Sequence, residues 1–210
     1  MKNDHGIFIS LEGIEGAGKS THLSFIASQL EKSGREVLST REPGGTPLGE
    51  QIRHILLLQK PMAIDSMSEL LLMFAARAQH IREIIRPALQ NGQIVLCDRF
   101  TDSSYAYQGG GRGIPAETIL QLARMVQADL KPDITLLFDV PVTTGLERAC
   151  KDRVADRFEK ETIEFFQTVR NTYLTIAEAE PERVKIINTD TDIDTVQSRI
   201  RKILQISGLC

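Results

Sequence analysis

The sequence predicts an α/β fold of three layers, in which a five-stranded parallel sheet is flanked by helices on both faces. Three observations lead to this prediction. Five short apolar runs alternate with helical patterns along the chain, which favours parallel strands joined by helical crossovers. A glycine-rich stretch connects the first run to the first helical pattern. The length of 210 residues suits one such unit, so we expect residues 1–210 to form a single domain.

Composition narrows the choice of partner and compartment. Lysines and arginines number 25 against 28 aspartates and glutamates, a net charge of −3, which excludes a broadly basic nucleic-acid surface. Cys97, Cys150 and Cys210 lack metal-ligand spacing and favour a reducing compartment. Residues 1–5 lead into the first strand without a signal-type segment, and no apolar run approaches the roughly 18 residues that span a bilayer. We therefore expect a cytoplasmic protein without a nucleic-acid or membrane partner.

The first strand, residues 7–11, runs into a stretch that matches the phosphate-binding pattern G-x-x-x-x-G-K-[ST]. In this motif, backbone N–H groups surround an anion at a helix N-terminus. Lys19 would reach the β- and γ-phosphates and the Ser20 hydroxyl would bind Mg²⁺. The stretch consists of Gly13, Ile14, Glu15, Gly16, Ala17, Gly18, Lys19, Ser20 and Thr21. The strand–loop–helix context predicts a P-loop NTPase fold and disfavours the alternative, a glycine-rich turn without a ligand.

The second strand, residues 36–40, follows Ser33 and Gly34, which end the first helix. Residues 41–47 then form a loop that carries Arg41 and Glu42 beside two glycines, and residues 48–58 return to helical spacing. In an open parallel sheet, ligands bind beyond the carboxyl ends of the strands. The loop is therefore predicted to lie at the same edge as the P-loop.

Residues 65–90 form a long helical pattern, which Pro87 should kink or shorten. Met73 and Phe74 are by default core residues. Arg77 lies three residues after Phe74 and shares its helix face. An arginine on an apolar face needs a partner, which raises the case for a bound ligand.

The third strand, residues 93–97, ends at Asp98 and Arg99. A carboxylate at the end of a buried strand in a P-loop protein is placed to hold Mg²⁺, and an arginine beside it offers a planar fork for a phosphate. The alternative, a surface ion pair, would be favoured without the strand context.

Residues 101–113 are too polar and aromatic for a plain linker: serine and glutamine side chains suit a base edge, and Tyr105 or Tyr107 suits a sugar. The alternative there is a mobile glycine-rich loop.

The remaining elements continue the alternation. They are a helix at 115–128, a strand at 134–139, a helix at 161–180, a strand at 184–188 and a helix at 193–206. Residues 144–156 carry dense mixed charge, which most often marks a solvated helical face. Cations at the rim of a phosphate site are also what a closing lid requires, so both interpretations stay open.

Right-handed crossovers bring the carboxyl ends of all the strands to one edge. Two phosphate-handling zones meet there: the P-loop with Lys19, and a set formed by Arg53, Arg77 and Arg99. Two zones indicate two phosphorylated ligands. The simplest chemistry is transfer of the ATP γ-phosphoryl group to the phosphate of a second nucleotide, which requires positioning and charge neutralisation but no covalent nucleophile or general base.

The chain resembles the bacterial thymidylate kinases over nearly its whole length. The motifs that carry the resemblance are LEGIEGAGKST (11–21), REPGGT (41–46), MFAAR (73–77), DRF (98–100), AYQGGGR (106–112) and DRFE (156–159), with Phe165 and Phe166. The P-loop alone would indicate only an NTPase, but the combination in this order is specific. The resemblance implies a nucleotide kinase fold and ATP- and Mg²⁺-dependent conversion of dTMP to dTDP, for dTTP biosynthesis, by a cytoplasmic homodimer.

The resemblance also implies roles for individual residues. Glu15 would hold the deoxyribose 3′-OH or position the acceptor, and Arg53 with Arg99 would clamp the dTMP phosphate. Tyr107 would pack beneath the sugar, where it disfavours a 2′-OH, with Gln108 nearby. Arg77 would read the thymine edge together with Ser103 and Ser104. The implied substrate-binding residues are Glu42, Arg53, Phe74, Arg77, Arg99, Ser103, Ser104, Tyr107 and Gln108, and the implied metal-binding residues are Ser20 and Asp98.

Two departures from the family pattern bear on the site. Many members have Phe four residues before the arginine that matches Arg77, whereas this chain has Met73 there and Phe74 one position later; we expect Phe74 to stack on the base. The variable P-loop positions carry no arginine, which points to catalytic cations in a lid at about residues 141–160. We expect Arg153 to be catalytic and Arg148 to lie nearer the adenine, bordered also by residues near 188–190.

Two rival functions remain at this point. The first is another nucleoside monophosphate kinase, specific for UMP, CMP or a salvaged deoxynucleotide, which acceptor preference would distinguish. The second is a nucleotide-dependent switch that binds a protein partner. A GTPase switch usually has an Asn-Lys-x-Asp element that reads guanine, and this sequence has none.

Overall fold

The computed structural model describes residues 6–57, 63–149 and 157–209. The strands are β1 Ile7–Glu12, β2 Val37–Arg41, β3 Ile94–Asp98, β4 Ile134–Asp139 and β5 Val184–Asn188. They pair only in parallel, in the order β2-β3-β1-β4-β5. Each strand lies within one residue of its predicted bounds, so the predicted α/β fold with a five-stranded parallel sheet is confirmed.

Helices follow or precede every strand. They are α1 Lys19–Glu31, α2 Pro47–Leu57, α3 Ser66–His80, α4 Arg86–Gln90, α5 Thr101–Ser104, α6 Ala116–Gln127, α7 Val142–Ala149, α8 Ile163–Ala179 and α9 Ile193–Ile206. Within the described part of the chain, none of these helices has the length and apolar character required to cross a membrane.

The central strand β1 is buried on both faces, which explains its continuous apolar run. Ile9 and Leu11 pack with residues of α1, α8 and α9. Phe8 points to the opposite face, where it packs with Ile85 and Phe100. Alternate residues of one strand therefore belong to two different helical layers, which makes the structure the predicted three-layer sandwich.

The predicted long helical segment runs from α3 into α4 through a π-helical turn at Ile81–Ile85. It begins at Asp65, whose carboxylate accepts hydrogen bonds from the N–H groups of Met67 and Ser68. Pro87 was expected to kink or shorten the segment. The α-helical pattern is interrupted by the wider π-helical turn just before the proline, which accommodates a residue that lacks an N–H donor, and the helix then continues to Gln90.

Most of residues 101–113 are helical. Helix α5 runs directly into a π-helix at Tyr105–Gly111. The glycines there serve close packing: a Cβ at Gly110 would collide with Thr172 of α8, and one at Gly111 would collide with Phe165. The mobile-loop alternative is therefore wrong, since these glycines let a helix approach α8 closely.

Helix α7 packs closely against the P-loop. Gly16 has φ +67°, and a Cβ at this position would collide with the backbone oxygen of Gly145 in α7. A Cβ built on Gly145 would in turn lie 2.8 Å from the backbone oxygen of Glu15 and 3.1 Å from Ile14 Cδ1. Two glycines at one contact therefore set the distance between α7 and the P-loop.

This contact predicts the outcome of Gly145→Ala. Alanine is favoured over glycine inside a helix by about 1 kcal/mol, but overpacking against backbone costs about 1–3 kcal/mol. We expect the collision with Glu15 to dominate and the melting temperature to fall by roughly 2–6 °C. Thr143→Ala, on the exposed side of α7, is the matched control and should not lower it. A Gly145→Ala variant as stable as this control would contradict the packing argument.

Candidate active site

A cavity of about 720 Å³ lies at the carboxyl edge of the sheet. Its walls come from the P-loop, the segments that follow β2, β3 and β5, helix α7 and the helical segment 101–111. The prediction that these loops meet at one edge follows from parallel topology. The P-loop, Asp98, Arg99 and Arg77 all line this one cavity.

Lys19 holds the P-loop in its curved form. Its Nζ donates to the backbone oxygens of Gly13, at 2.9 Å, and Ile14, at 3.0 Å. Burial lowers the pKa of Lys19 to about 8, and the nearby Arg99 charge adds to the shift. An anionic ligand would favour the charged form of this lysine again.

The N-terminus of α1 is open to a ligand. Its N-cap is Gly18, with φ +96°, and this residue provides no side-chain cap; the first turn contains no acidic residue. The first N–H groups of a helix need acceptors, and the helix dipole favours an anion at this end. The geometry therefore matches a phosphate-binding site.

Asp98 ends β3 beside the P-loop and lines the cavity. Its Oδ1 atom is buried and has no hydrogen-bond partner among the described residues. The exposed Ser20 lines the same cavity. A carboxylate oxygen that lacks a donor, together with a hydroxyl, suits Mg²⁺, which takes few protein ligands and completes its shell with water and phosphate oxygens. These residues thus fit a magnesium ion held by the nucleotide.

Arg99 lies at the centre of a polar cluster. Its Nη2 donates to Glu15 Oε1 at 2.9 Å and to the Tyr107 hydroxyl at 3.1 Å. Its Nη1 donates to Ser103 Oγ at 3.2 Å and to the Tyr173 hydroxyl at 3.3 Å. Tyr107 also donates to Glu15 Oε2 and lies under the guanidinium, 4.9 Å from its centre. The arginine is therefore fixed in position and charged, as an anion-binding group requires.

The backbone at Arg99 is strained, with φ +71°, a conformation that costs a non-glycine residue about 1–3 kcal/mol. Glu12, at the end of β1, stabilises the turn: its Oε1 accepts the N–H of Phe100 at 2.7 Å. Its Oε2 accepts the hydroxyls of Ser103, at 2.6 Å, and Tyr173, at 2.8 Å. One buried carboxylate therefore aims Arg99 at the cavity.

Arg77 has the partner that its apolar helix face requires. Its Nε donates to Glu42 Oε2 at 2.7 Å, its Nη1 to Ser104 Oγ at 3.1 Å and its Nη2 to the backbone oxygen of Phe100 at 3.1 Å. The arginine still lines the cavity. Glu42 is buried and lines the same cavity, and its substrate-binding role stays a prediction.

Residues 11–200 match the family model described as Thymidylate kinase. The chain belongs to the thymidylate kinase family. A thymidylate kinase of Pseudomonas syringae pv. tomato is 54% identical over 199 residues, which cover 95% of each chain. One of Methylobacillus flagellatus is 52% identical over 200 residues, 95% of this chain and 97% of the relative. The crystal structure of thymidylate kinase from Ehrlichia chaffeensis superposes with a TM-score of 0.78 at 36% identity, covering 97% and 99% of the two chains.

Most residues that the thymidylate kinase resemblance singled out lie at this cavity. Arg53 lines it and donates through Nη1 to the backbone oxygen of Pro43 at 3.0 Å. Ser103, Ser104, Tyr107 and Gln108 line it as well, on the helical segment 101–111. Gln108 is buried, and its Nε2 donates to Glu69 Oε1 at 2.8 Å, so that the amide is held by the protein.

Phe74 is the exception, and here the expectation is corrected. Met73, which is partly buried, lines the cavity. Phe74 packs instead with Leu70, Ile114 and Ile119. Adjacent helix positions point about 100° apart, so a residue at 73 faces the cavity while one at 74 faces the next helix. Phe74 acts on the site indirectly, because the Arg77 guanidinium lies 4.7 Å from the centre of its ring.

Of the two arginines predicted to act from the lid region, the structure describes Arg148 but not Arg153. Arg148 lies at the end of α7, lines the cavity and donates through Nη1 to the backbone oxygen of Thr189 at 3.0 Å. This contact joins α7 to the segment after β5, which was expected to border the adenine. Arg153 lies outside the described residues, so its catalytic role stays a prediction.

Sequence reasoning missed three residues of the site: Glu12, Tyr173 and His80. Glu12 follows the apolar run of β1 just as Asp98 follows that of β3, and the same signal could have identified it. Tyr173 belongs to the helix predicted at 161–180, and its ring packs in the core as an apolar side chain would, but its hydroxyl reaches Arg99. His80, on the same helix as Arg77, carried no signal in the sequence.

Glu12 predicts a pH dependence of stability. Burial raises the pKa of Glu12 to about 7, and repulsion from Asp102 adds to the shift. Because the folded state favours the protonated form, the charged form costs stability: the wild type should lose up to about 3 kcal/mol as the pH rises from 4.5 to 7. Glu12→Gln stays neutral, so its stability should fall less over this window. Denaturant unfolding at intervals between pH 4.5 and 7 measures both slopes.

Glu178→Gln is the control, because Glu178 is exposed. It should show the wild-type slope. Equal slopes for the wild type and Glu12→Gln would mean that Glu12 keeps an ordinary carboxyl pKa in the folded protein.

Proposed function

We propose that this chain transfers the γ-phosphoryl group of ATP to dTMP, which yields dTDP for dTTP biosynthesis. The observation that carries the proposal is that two separate phosphate-binding elements, the P-loop with Lys19 and the Arg99 cluster, line one cavity. Membership of the thymidylate kinase family supports dTMP as the acceptor. The proposal takes residues 1–210 as one cytoplasmic kinase domain with a lid at about 141–160.

The donor side holds the triphosphate by backbone and charge. The open N-terminus of α1 and the backbone N–H groups of the P-loop would bind the phosphates, and Lys19 would neutralise the charge on the β- and γ-phosphates. Arg148 and Thr189, joined by their hydrogen bond, lie at the adenosine end. Arg153 of the lid would add positive charge where it develops in the transition state.

The acceptor side presents the dTMP phosphate to the γ-phosphoryl group. Arg99 binds this phosphate with Arg53, and Glu15, which pairs with Arg99 in the free protein, is free to accept the deoxyribose 3′-OH once the phosphate takes its place on the arginine. Tyr107 supports the sugar, and Arg77 reads the base with Ser103 and Ser104. An in-line arrangement of two charged phosphates in a shielded site supplies the catalysis through positioning.

Ser20 and Asp98 would hold Mg²⁺, Ser20 directly and Asp98 through water. The unpartnered Oδ1 of Asp98 supports this assignment. When bound, the ion neutralises the charge on the β- and γ-phosphate oxygens and orients them.

The test is ADP release from ATP and Mg²⁺ with single acceptors: dTMP, dUMP, UMP, CMP, AMP and GMP, beside a control without acceptor. We expect turnover mainly with dTMP. Turnover mainly with UMP or CMP would establish another monophosphate kinase. ADP release that is indifferent to every acceptor would favour the nucleotide switch.

Arg99→Ala in the same assay separates the two sides of the cavity. It should lower dTMP-dependent turnover at least about a hundredfold, because one charged donor to a reacting phosphate is lost, while ATP binding stays within a factor of about three. Arg86→Ala, outside the cavity, should leave both unchanged. An equal loss of ATP affinity would place Arg99 on the donor side instead.

The proposed homodimer has a candidate surface on the packed pair α2 and α3. Leu48 and Ile55 on α2 are 46% and 38% exposed, and Met67 and Leu71 on α3 are 40% and 50% exposed. Each pair lies on one face of its helix, seven and four residues apart. Exposed apolar residues that cluster on adjoining helices mark association surfaces.

Leu71→Glu tests this surface. A buried charge at a symmetric interface occurs twice and is costly, so we expect a shift from dimer to monomer in light scattering coupled to size exclusion. Ile206→Glu, at the end of α9 and 75% exposed, is the matched control and should stay dimeric. A Leu71→Glu variant that remains dimeric would place the interface elsewhere.

A further inference from the structure

His80 is fully buried, and both nitrogens of its ring are hydrogen-bonded. Its Nε2 lies 2.7 Å from Thr40 Oγ1 and its Nδ1 lies 2.9 Å from Glu42 Oε1. A carboxylate oxygen can only accept, so Nδ1 carries the proton and donates to Glu42. The ring is thus held between the end of β2 and the loop that follows it.

Glu42 connects His80 to Arg77 at the cavity. Its second oxygen, Oε2, accepts the Nε–H of Arg77 at 2.7 Å, and the two side chains are only 4% and 3% exposed. Both carboxylate oxygens are therefore engaged within the protein. A buried ion pair is strong only when its geometry is fixed and its remaining hydrogen-bonding groups have partners. His80 provides the partner for Glu42 Oε1.

The loop itself is built against the imidazole ring. Gly45 has φ +76°, and a Cβ on it would lie 2.6 Å from His80 Nε2 and 2.8 Å from Thr40 Oγ1. Only a glycine allows the backbone to approach the ring so closely. His80 therefore fixes both the path of the loop and the carboxylate that the loop carries.

Arg77, at the wall of the cavity, is held by Glu42 and by two aromatic rings. Its guanidinium lies 4.7 Å from the ring centre of Phe74 and 5.1 Å from that of Phe100, and it donates to Ser104. The two aromatic rings restrict the orientation of the guanidinium plane, whereas Glu42 fixes where the guanidinium lies within that plane. A group that reads a base by hydrogen bonds must be held within about 0.5 Å, so the anchoring of Glu42 bears directly on recognition.

We propose that His80 is a positioning residue that orients Arg77 through Glu42 and thereby sets the affinity and selectivity for the base of the acceptor nucleotide. This inference rests on the proposed function. The chain of contacts reaches the acceptor side alone: Thr40, His80 and Glu42 join β2 to Arg77, without a contact to Lys19 or Arg148 among the described hydrogen bonds.

Two amide variants separate the roles of the two ring nitrogens. An asparagine at position 80 places its NH₂ group near the former Nδ1 and can still donate to Glu42, whereas a glutamine places it near Nε2. We expect His80→Gln to raise the KM for dTMP about tenfold, the effect of losing a hydrogen bond to a charged group, with the KM for ATP within twofold. His80→Asn should keep the KM for dTMP within threefold of the wild type.

Gln127→Leu is the matched control for loss of a buried polar group. Gln127 is 4% exposed and bonds Thr101 and the Leu130 backbone away from the cavity. It should lower the melting temperature but leave both KM values unchanged. If His80→Gln lowers stability in the same way and moves neither KM, His80 is only a structural residue and the inference is overturned.

Glu42→Gln provides the coupling test, and it also serves if His80→Gln does not fold. Alone it should raise the KM for dTMP about tenfold and spare that for ATP; an unchanged KM for dTMP would overturn the inference. In the Glu42→Gln variant, adding His80→Gln should raise the KM for dTMP less than twofold further, because both substitutions act through Arg77. If the double variant raises the KM for dTMP by the product of the two single effects, His80 acts on the site independently of Glu42, and the inference is overturned. If the wild type shows no dTMP-dependent turnover, the proposed function fails instead.

Discussion

A buried carboxylate at the end of the central strand holds the two sides of the cavity together. Glu12 belongs to the strand that leads into the P-loop, yet its hydrogen bonds go to the Arg99 turn and to Tyr173 of α8. Parallel topology brings these segments to one edge, but topology alone does not fix distances within a fraction of an ångström. The contacts of Glu12 do, and they hold a left-handed backbone at Arg99 that an unsupported chain would leave.

Charged groups in this site are mostly neutralised before any ligand arrives. Arg99 pairs with Glu15, and Arg77 pairs with Glu42. Burying an ion pair rarely stabilises a fold by itself, so these pairs are better explained by preorganisation: the donors are already oriented where ligand charge will develop. Asp98 differs, since its Oδ1 lacks a donor among the described residues, and an unpaired buried oxygen beside a phosphate site is suited to a cation.

The sequence allowed the strands, the P-loop and the shared edge to be predicted, because each depends on a local pattern: apolar runs, glycine spacing and polar residues at strand ends. What failed depends on contacts between distant segments. The glycines of 101–113 left a mobile loop open as an alternative, but Gly110 and Gly111 are required by the approach of α8. Met73 and Phe74 are equally apolar, and only the rotation of α3 decides which one faces the cavity. Tyr173 looked like any core aromatic, since its hydroxyl matters only once α8 lies over Arg99.

Two different networks hold the acceptor side of the cavity. Glu12, Ser103 and Tyr173 fix the arginine that would bind the acceptor phosphate, whereas His80 and Glu42 fix the arginine that would read the base. The networks meet at Phe100, whose N–H is bound by Glu12 and whose backbone oxygen is bound by Arg77. Phe100 is the one partner that these two networks share among the described hydrogen bonds, so a change in the second network can alter which base is accepted with little effect on the phosphate. Base selectivity and phosphoryl transfer are thus separable in this fold, and the shared residue Phe100 is where coupling between them would arise.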